Sequence, residues 1–408
     1  RVIDLNGATI GDLWDVPGLD LTPAGWSPVP GDQRLLVIHE RQGEDRPLLW
    51  NLSTGEVQEP AIPLSGEIFA TWYPDGSALL LTREHRGRGE LHRLDLASGA
   101  LTQIETDPGV ISYAAVRPDG EVWYGWTAAS APPEVRGRDG VLLRPRGVRA
   151  PGGVSYTDLD VGSVHGFLTE PPGVRPHPTI FQIHGGPTSQ DTDAFSPRVQ
   201  AWVDHGYAVV LVNYRGSTGY GRAWRDALIG NPGFTELEDI AAVHDHVIAA
   251  GIADPRRVIL AGGSWGGYLT LLGLGTQPER WSLGIADVPV ADWFGQIEDE
   301  MEPLRRYDEA LFGGKPIAEY PEVYQRASPI SYVEQVCVPV MIFGGENDPR
   351  CPIRPIEAYV ARLRELGKPH EYERFNAGHN SQVVEEQIRQ MEKRLAFAAR
   401  HLGTPAPR

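Results

Sequence analysis

In the first 150 residues, short apolar runs alternate with tight turns, and the arrangement repeats. Each copy has a short strand, a turn built around proline with aspartate or glycine, and a longer apolar strand. The copies read GWSPVPGDQRLLVIHE (25–40), TWYPDGSALLLTREH (71–85) and AVRPDGEVWYGWT (115–127), and Pro28, Pro74 and Pro118 are 46 and 44 residues apart. A period of about 45 residues with four short strands is typical of a β-propeller blade. A β-sandwich is the alternative, although nothing in a sandwich requires this period.

A second hairpin pattern follows the first in every copy. It reads LLWNLSTGEV (48–57), LHRLDLASGAL (91–101) and, less clearly, EVRGRDGVLL (134–143). The segment RVIDLNGATI (1–10) resembles one more copy, so the sequence predicts three complete blades and half of another. This count favours a small all-β propeller of about four blades within residues 1–150. A propeller with further blades upstream of Arg1 is the alternative.

From about residue 155, apolar strands alternate with amphipathic helices. Six strands, each followed by a polar or glycine-rich loop, are expected within 177–186, 206–216, 256–264, 281–290, 338–348 and 370–379. Helical periodicity lies between them, for example over 235–251 and 353–367. Continuously apolar strands separated by helices form a mostly parallel, doubly wound sheet. We therefore expect residues 151–408 to form an α/β domain with its chemistry at the carboxyl ends of the strands.

Composition narrows the possible partners. The 408 residues carry a formal net charge of −17, which disfavours binding to nucleic acid or an anionic membrane, because both need basic surfaces. No apolar run approaches the ~18 residues of a membrane span. The two cysteines, Cys337 and Cys351, are too few for a disulfide framework or a zinc site, and no nucleotide-binding loop is found. We therefore expect a cytoplasmic protein without cofactor or metal.

The segment GGSWGGY (262–268) carries the strongest chemical signal. Ser264 follows the predicted strand RVILAGG and precedes a predicted helix, which is the setting of a nucleophile elbow. In such an elbow the serine lies on a strained turn, and small residues two positions before and after it, here Gly262 and Gly266, avoid backbone clashes. A glycine-rich loop with a non-catalytic serine is the alternative, since the short pattern alone is weak.

A nucleophilic serine needs a base, and the base needs an orienting carboxylate. In an α/β domain with a nucleophile elbow, the carboxylate and the base follow the serine along the chain in the order Asp, then His, and each lies at the end of a later strand. Asp348 ends VPVMIFGGEND and His379 follows YERFNAG, so both meet this requirement. The tetrahedral intermediate also needs N–H donors for its oxyanion. We expect these to be the backbone amides of Trp265 and of Gly186 in the loop HGGP (184–187).

Together these motifs resemble those of the prolyl oligopeptidase family of serine peptidases, in which a β-propeller accompanies an α/β-hydrolase domain. The matching segments are VHGFLTEPP (164–172), IHGGP (183–187), VNYRGSTGYG (212–221), GGSWGGY (262–268), GENDPR (345–350) and AGH (377–379). The HGGP form is similar to the acylaminoacyl-peptidase branch, which removes an N-acylated residue from blocked peptides. The resemblance implies an α/β-hydrolase fold for residues 151–408 and peptidase activity on short peptides.

The resemblance also implies roles for three binding residues. Arg350 would bind the carbonyl group of substrate residue P2, and Trp293 and Phe294 would line the S1 pocket. For Arg350 the alternative is a surface salt bridge to the acidic stretch 298–302. For the two aromatic residues the alternative is core packing.

Other activities are possible on the same catalytic residues. The dipeptidyl-peptidase branch holds a free amine with paired glutamates, and residues 1–150 contain no Glu-Glu pair, which favours blocked substrates. A broad oligopeptidase, an aminopeptidase-like enzyme or an esterase is the alternative. A non-catalytic scaffold is disfavoured by the complete residue set. Because a small propeller would shield the site less, we expect a homo-oligomer to supply the missing gate.

Overall fold

The computed structural model describes residues 1–148 and 150–403, and its contacts divide this part of the chain into two compact units. The β unit comprises Arg1–Ser155 together with Thr192–Phe195 and Thr218–Trp224. The α/β unit comprises Tyr156–Asp191, Ser196–Ser217 and the described residues from Arg225 onward. The division expected at 150/151 lies five residues before the observed end of the first segment at Ser155, and the two short segments of the β unit that follow in the second half were not predicted.

Within the described residues, the β unit consists of three four-stranded antiparallel sheets and one two-stranded hairpin. The hairpin has strands β1 (Val2–Ile3) and β2 (Thr9–Gly11). The first sheet has β3 (Leu21–Trp26), β4 (Arg34–His39), β5 (Arg46–Asn51) and β6 (Val57–Gln58); the second has β7 (Glu67–Trp72), β8 (Ala78–His85), β9 (Arg88–Asp95) and β10 (Leu101–Ile104); the third has β11 (Val110–Val116), β12 (Val122–Ala128), β13 (Ala131–Gly137) and β14 (Gly140–Leu143). Each sheet pairs consecutive strands, as a propeller blade does. This matches the predicted three blades and additional hairpin.

Strand β8 shows why the apolar runs of this unit are continuous. Leu79 and Leu81 pack in one cluster with Leu36 of the first sheet. Leu80 packs in a different cluster, with Ile111 of the third sheet. Successive side chains of a strand point to opposite faces of its sheet, so a sheet that is covered on both faces needs apolar residues at every position.

The turns between the first two strands of each sheet correct one detail of the predicted repeat. In each turn a carbonyl accepts a hydrogen bond from the amide three residues later; the acceptors are Val29, Tyr73 and Arg117, and the donors are Asp32, Gly76 and Gly120. The residue equivalent to Pro74 and Pro118 is therefore Pro30, and Pro28 was the wrong choice. The spacing becomes 44 residues in both intervals. The segment SPVP contains two prolines, and the sequence pattern does not show which one enters the turn.

The α/β unit is built around an eight-stranded sheet with the order β15-β16-β18-β17-β19-β20-β21-β22. Its strands are β15 (Thr157–Val161), β16 (Val164–Thr169), β17 (His177–Ile183), β18 (Ala208–Asn213), β19 (Ala253–Gly263), β20 (Leu283–Asp287), β21 (Val340–Gly345) and β22 (His370–Phe375). Strand β16 is antiparallel to both neighbours, and the strands from β18 across to β22 are all parallel. These parallel strands are the six that the sequence predicts.

Helices connect the parallel strands, and one more helix follows the last strand, β22. They are α1 (Pro197–Asp204), α2 (Arg222–Arg225), α3 (Phe234–Ala249), α4 (Trp265–Thr276), α5 (Trp293–Asp299), α6 (Glu302–Leu311), α7 (Pro321–Ala327), α8 (Ile353–Glu365) and α9 (Val384–Leu402), with 3₁₀ turns at Asp226–Leu228 and Pro329–Gln335. The periodicity correctly predicts α3 and α8. Among the described residues, no helix combines the length and the apolar character needed to cross a membrane. The carboxyl ends of β17, β19, β21 and β22 lead directly into the segments that carry the predicted site residues.

Candidate active site

Ser264 occupies the turn between β19 and α4, with φ 57° and ψ −119°. A positive φ is uncommon for a residue with a side chain and marks backbone strain. The Ser264 amide donates to the carbonyl of Asp287 on the adjacent strand β20 (2.8 Å), and the Ser264 carbonyl accepts from the Tyr268 amide (2.9 Å). The strained turn is therefore held from both sides, with the geometry expected of a nucleophile elbow.

Gly262 and Gly266, two residues before and after Ser264, lie too close to other backbone atoms to have a side chain. A Cβ on Gly266 would lie 2.2 Å from the Ile183 carbonyl oxygen, and a Cβ on Gly262 would lie 2.5 Å from backbone atoms of Gly266. Gly263 differs, because the nearest atom to its Cβ would be at 3.6 Å, an ordinary contact distance. The elbow thus needs glycine at positions 262 and 266 but has room for a methyl group at 263.

Asp348 and His379 follow the neighbouring strands β21 and β22, so their side chains meet at one edge of the sheet. His379 Nδ1 lies 2.7 Å from Asp348 Oδ2. The Asp348 side chain is fully buried, and its Oδ1 accepts hydrogen bonds from the amides of Arg350 (2.8 Å) and Cys351 (3.1 Å). Because the carboxylate is fixed by these amides, it accepts from Nδ1–H of the imidazole and leaves Nε2 free to take a proton.

Cys351 connects the histidine–aspartate pair to Ser264. Polar atoms of Cys351, Asp348 and His379 lie within 4.8 Å of one another. The Ser264 side chain is close enough to the thiol to act on its pKa, which places Ser264 beside the residue that adjoins Asp348 and His379. Burial, and then the charge of Asp348, raises the pKa of Cys351 well above its usual range. The thiol therefore stays protonated and is a poor nucleophile.

An aspartate, a cysteine and a histidine this close together are also a possible donor set for a transition-metal ion. Metal binding would require the thiolate of Cys351 and would compete with the hydrogen bond between His379 and Asp348. The cluster therefore fits proton transfer better than metal binding. The expectation that no metal is used stays a prediction.

The loop HGGP (184–187) follows β17 and lies against the Ser264 turn. A Cβ on Gly185 would lie 3.2 Å from Ser264 Cβ, so the close approach favours glycine. Gly186 is exposed and has φ 130°, a conformation that side chains disfavour. Trp265 is the first residue of α4, where a backbone N–H has no partner within the helix. The two predicted oxyanion donors thus belong to segments that are in contact at Ser264.

His184 anchors this loop. Its ring stacks on Tyr214 with 4.2 Å between centroids, and its Nε2 lies 2.9 Å from Ser217 Oγ. The Tyr214 hydroxyl donates to the His184 carbonyl (3.0 Å). Desolvation lowers the pKa of His184 to about 4, so the ring is neutral near pH 7. We therefore regard His184 as a structural residue of the site.

Trp293 and Phe294, the predicted S1 residues, begin α5 and differ in exposure. Trp293 is fully buried in an aromatic cluster, with ring centroids 5.5 Å from Tyr268 and 5.1 Å from Phe312. Phe294 is 38% exposed. Core packing therefore describes Trp293, whereas Phe294 keeps a surface that a substrate can contact. Their role in an S1 pocket stays a prediction.

Arg350 is exposed on the turn after β21. Other arginines pair with the acidic stretch: Arg354 with Glu298 (2.6 Å) and Asp299 (2.6 Å), and Arg305 and Arg306 with Glu302. Within the described part of the chain, Arg350 has no ion pair of its own. Its carbonyl accepts a hydrogen bond from Gln296 Nε2, so its backbone is held while its guanidinium group is free to bind a ligand.

Sequence reasoning did not include Glu236 among the site residues. Its position three residues after Gly233 predicts a carboxylate that caps α3, and it accepts from the Gly233 amide (2.8 Å). Its other carboxylate oxygen accepts from the indole N–H of Trp265 (3.0 Å). Nothing in the local pattern indicates this second contact, because it depends on how α3 packs against α4.

The model of the prolyl oligopeptidase family matches residues 193–405, just over half of the chain. The chain belongs to the prolyl oligopeptidase family. This confirms the family expected from the motifs. The matched region includes the predicted nucleophile, base and carboxylate, Ser264, His379 and Asp348.

Among relatives in the prolyl oligopeptidase family, the acylamino-acid-releasing enzyme of Arabidopsis thaliana is 26% identical over 354 residues. The alignment covers 76% of this chain and 46% of that enzyme. An acylamino-acid-releasing enzyme of Rattus norvegicus is 27% identical over 328 residues, covering 73% of this chain and 45% of the enzyme. The chain thus spans less than half the length of these two relatives.

Solved structures of the prolyl oligopeptidase family share the fold. Puromycin hydrolase superposes with a TM-score of 0.86 at 25% identity, covering 99% of this chain and 65% of that one. The acylaminoacyl peptidase of Pyrococcus horikoshii superposes with a TM-score of 0.76 at 20% identity, covering 90% of this chain and 61% of that one. These similarities confirm the predicted fold class, a β-propeller with an α/β-hydrolase domain.

Proposed function

We propose that this chain hydrolyses short peptides through an acyl-enzyme formed on Ser264. As the Ser264 hydroxyl attacks the substrate carbonyl carbon, His379 Nε2 accepts its proton and Asp348 stabilises the resulting imidazolium. The observation that carries the proposal is the strained Ser264 turn at the same edge of the sheet as a histidine–aspartate pair whose Nδ1 and Oδ2 atoms are 2.7 Å apart. Backbone strain is costly and occurs mainly at functional sites, so it is not expected at a serine without a catalytic role.

The backbone amides of Gly186 and Trp265 would donate to the oxyanion of the tetrahedral intermediate. His379 then gives its proton to the leaving amine, the C–N bond breaks, and the acyl group remains esterified to Ser264. A water molecule, deprotonated by His379, attacks the ester in the second half of the reaction. This step returns the proton to Ser264 and releases the acid.

N-acylated peptides are the substrates that we favour. The two relatives named as acylamino-acid-releasing enzymes support this choice. The exposed guanidinium of Arg350, which has no ion pair among the described residues, also supports this choice, because it can donate to the carbonyl group of an N-acyl substituent. The likeness to puromycin hydrolase favours a second candidate, an aminopeptidase-like enzyme that accepts a free amine.

A rate ratio distinguishes the two candidates. We would measure kcat/KM for N-acetyl-phenylalanine p-nitroanilide and for phenylalanine p-nitroanilide, subtracting the rate of Ser264→Ala. We expect the acetylated substrate to be preferred by about tenfold or more, equivalent to ~1.4 kcal/mol. Equal rates, or preference for the free amine, would favour the second candidate. Undiminished hydrolysis by Ser264→Ala would reject the mechanism.

We also expect the protein to form homo-oligomers and to act in the cytoplasm. A homo-oligomer would restrict access to the site in place of a larger propeller. Light scattering coupled to size-exclusion chromatography measures the mass directly, and a monomer at all concentrations tested would contradict the first expectation.

A further inference from the structure

A cavity of about 740 Å³ opens beside His379, within the α/β unit. Its walls come from the start of α1, the end of β20, the loop after β22 and the first half of α9. A cavity of this size can hold one or two amino-acid residues. Because the imidazole of His379 would protonate the leaving amine, a cavity beside it is suited to the leaving part of a substrate.

Positive charge predominates on one wall of this cavity. Asp287 lies between two arginines: its Oδ1 accepts from Arg394 Nη2 (2.8 Å), and its Oδ2 lies 3.2 Å from Arg198 Nη1. Two guanidinium groups therefore share a single carboxylate. The Arg394 side chain is only 5% exposed, and its Nε has no hydrogen-bond partner among the described residues. A buried and unsatisfied guanidinium N–H is costly unless a ligand satisfies it.

Arg198 is the accessible member of the pair, with its side chain 43% exposed. Desolvation is the main cause that lowers the pKa of Arg198; the charge of Asp287 opposes the shift, and the charge of Arg394 adds to it. The two cations thus repel each other across an acid that neutralises only one of them. An added anion would balance the second cation of this group, whereas Glu392, exposed on the same cavity, would oppose the anion.

Apolar side chains of α9, the helix that also carries Arg394, line part of this cavity. Val384 and Ile388, on the first half of α9, are 60% and 53% exposed, and Met391 and Leu395 lie one and two turns further along the same helix. A cavity lined by both apolar side chains and guanidinium groups suits a ligand with an aliphatic or aromatic side chain and a negative charge. The C-terminal residue of a peptide has this combination.

We infer that this cavity binds the leaving residue of an acylated dipeptide, and that Arg198 and Arg394 recognise its C-terminal carboxylate. The inference rests on the proposed function. A guanidinium group can donate two parallel hydrogen bonds to a carboxylate, and this pairing is stronger than one with a neutral amide. Substrates that end one residue after the cleaved bond are therefore preferred over longer or amidated ones.

The test compares N-acetyl-Phe-Leu, which has a free carboxylate, with N-acetyl-Phe-Leu amide, by following release of leucine or leucinamide. For the wild type we expect kcat/KM to be about tenfold or more higher for the free carboxylate. Arg198→Gln should reduce this preference to less than about threefold, and Arg198→Lys should retain part of it. Glu392, an exposed carboxylate on the same cavity, opposes an anion, so Glu392→Gln should increase the preference.

Arg256→Gln is the matched control, because Arg256 is 90% exposed and lies outside the cavity. It removes one positive charge and should leave the carboxylate preference unchanged. A thermal unfolding midpoint for every variant separates misfolding from loss of recognition. If the wild type cleaves N-acetyl-phenylalanine p-nitroanilide but treats the two dipeptides alike, the inference is wrong and the proposed function stands. If no acylated substrate is cleaved, both are wrong.

Discussion

Glu236 accepts a hydrogen bond from the indole N–H of Trp265 at 3.0 Å, and neither side chain is more than 3% exposed. Its second carboxylate oxygen accepts from the Gly233 amide at the start of α3 (2.8 Å). The backbone amide of Trp265 is one of the two oxyanion donors that we propose. Glu236 thus ties the residue that supplies this donor to a neighbouring helix.

We predict that Glu236→Leu lowers kcat on a p-nitroanilide substrate by about tenfold or more while KM changes little. The leucine leaves the Trp265 indole N–H buried without an acceptor, a loss of about 1–3 kcal/mol that favours movement of the start of α4. Glu238→Leu is the control, because Glu238 is on the same helix with its side chain 67% exposed. A fall in stability with an unchanged kcat would show that Glu236 has no role in positioning the donor.

Glu236 should also make stability depend on pH. Burial raises its pKa from 4.5 to about 8, so between these values the folded protein holds a proton that the unfolded chain has released. The free energy of unfolding therefore falls as pH rises through this window, by at most about 1.4 kcal/mol per pH unit. We predict that Glu236→Gln removes this contribution, so that the stability of the wild type relative to the variant decreases from pH 5 to 8.

Urea unfolding of both proteins at a series of pH values measures this difference. Asp308, whose pKa burial raises to about 9, acts in the same direction but is present in both proteins and cancels. Glu386→Gln is a control of opposite sign, because the hydrogen bond from Arg389 lowers the pKa of Glu386 to about 2. The difference in unfolding free energy between the wild type and Glu386→Gln should change with pH below pH 5 and stay constant above pH 5. A flat difference for Glu236→Gln across pH 5–8 would contradict the prediction.

The central parallel strands of the α/β unit were predictable because they have apolar runs followed by glycine or a polar residue, as in β18 (AVVLVN) and β21 (VMIFGG). Strands β15 (TDLDV) and β16 were not predicted, and β22 (HEYERF) is largely polar. Which unit a short segment joins depends on packing between distant residues, and the local sequence pattern does not show this packing. The segment Thr192–Phe195 follows the HGGP loop in sequence yet belongs to the β unit, where Asp193 pairs with Arg88 (2.9 Å). Nothing in those four residues indicates a contact partner about a hundred positions earlier.

The predicted site residues were found where three parallel strands end together, since the fold itself brings Ser264, Asp348 and His379 to one edge. Cys351 and Glu236 were missed as site residues for a different reason. Glu236 contacts the site only through the packing of α3 against α4. Cys351 is close to Asp348 in sequence, but a buried cysteine, like a capping glutamate, has an ordinary structural interpretation. For Trp293 the sequence left both a pocket wall and core packing open, and only the structure shows that its side chain is buried among other aromatic rings.

The glycines around Ser264 should differ in their tolerance of substitution. Gly262→Ala and Gly266→Ala place a methyl group within 2.5 Å of backbone atoms, so each should destabilise the protein by about 1–3 kcal/mol and distort the elbow. Gly263→Ala, with its nearest contact at 3.6 Å, is the matched control. We expect urea unfolding and labelling by a fluorophosphonate to be nearly unchanged for Gly263→Ala and impaired for the other two. Equal tolerance at all three positions would contradict the steric argument.

Asp348→Asn should reduce kcat by about 10³–10⁴-fold with little loss of stability. The amides of Arg350 and Cys351 both donate to Oδ1, so the asparagine carbonyl is expected to keep that position and to turn its NH₂ group toward His379. The imidazole Nδ1 must then accept a hydrogen bond, which puts the ring proton on Nε2 and blocks proton transfer from Ser264. Kinetics with a p-nitroanilide, beside a thermal unfolding midpoint, measure both effects. A variant with near wild-type kcat would show that Asp348 does not set the tautomer.

Arg350→Gln should weaken the binding of substrates that have a carbonyl group at the P2 position. A hydrogen bond from a charged donor contributes about 1.5–3 kcal/mol, so kcat/KM for N-acetyl-phenylalanine p-nitroanilide should fall by about 10- to 150-fold. The p-nitrophenyl ester of 3-phenylpropionate has the same side chain without the acylamino group, and its hydrolysis should change much less. Arg354→Gln is the control, since Arg354 pairs with Glu298 and Asp299 and should affect neither substrate. If Arg350→Gln slows both substrates equally, Arg350 would act through the turn that holds Asp348, because only a direct contact with the acyl carbonyl distinguishes the amide substrate from the ester.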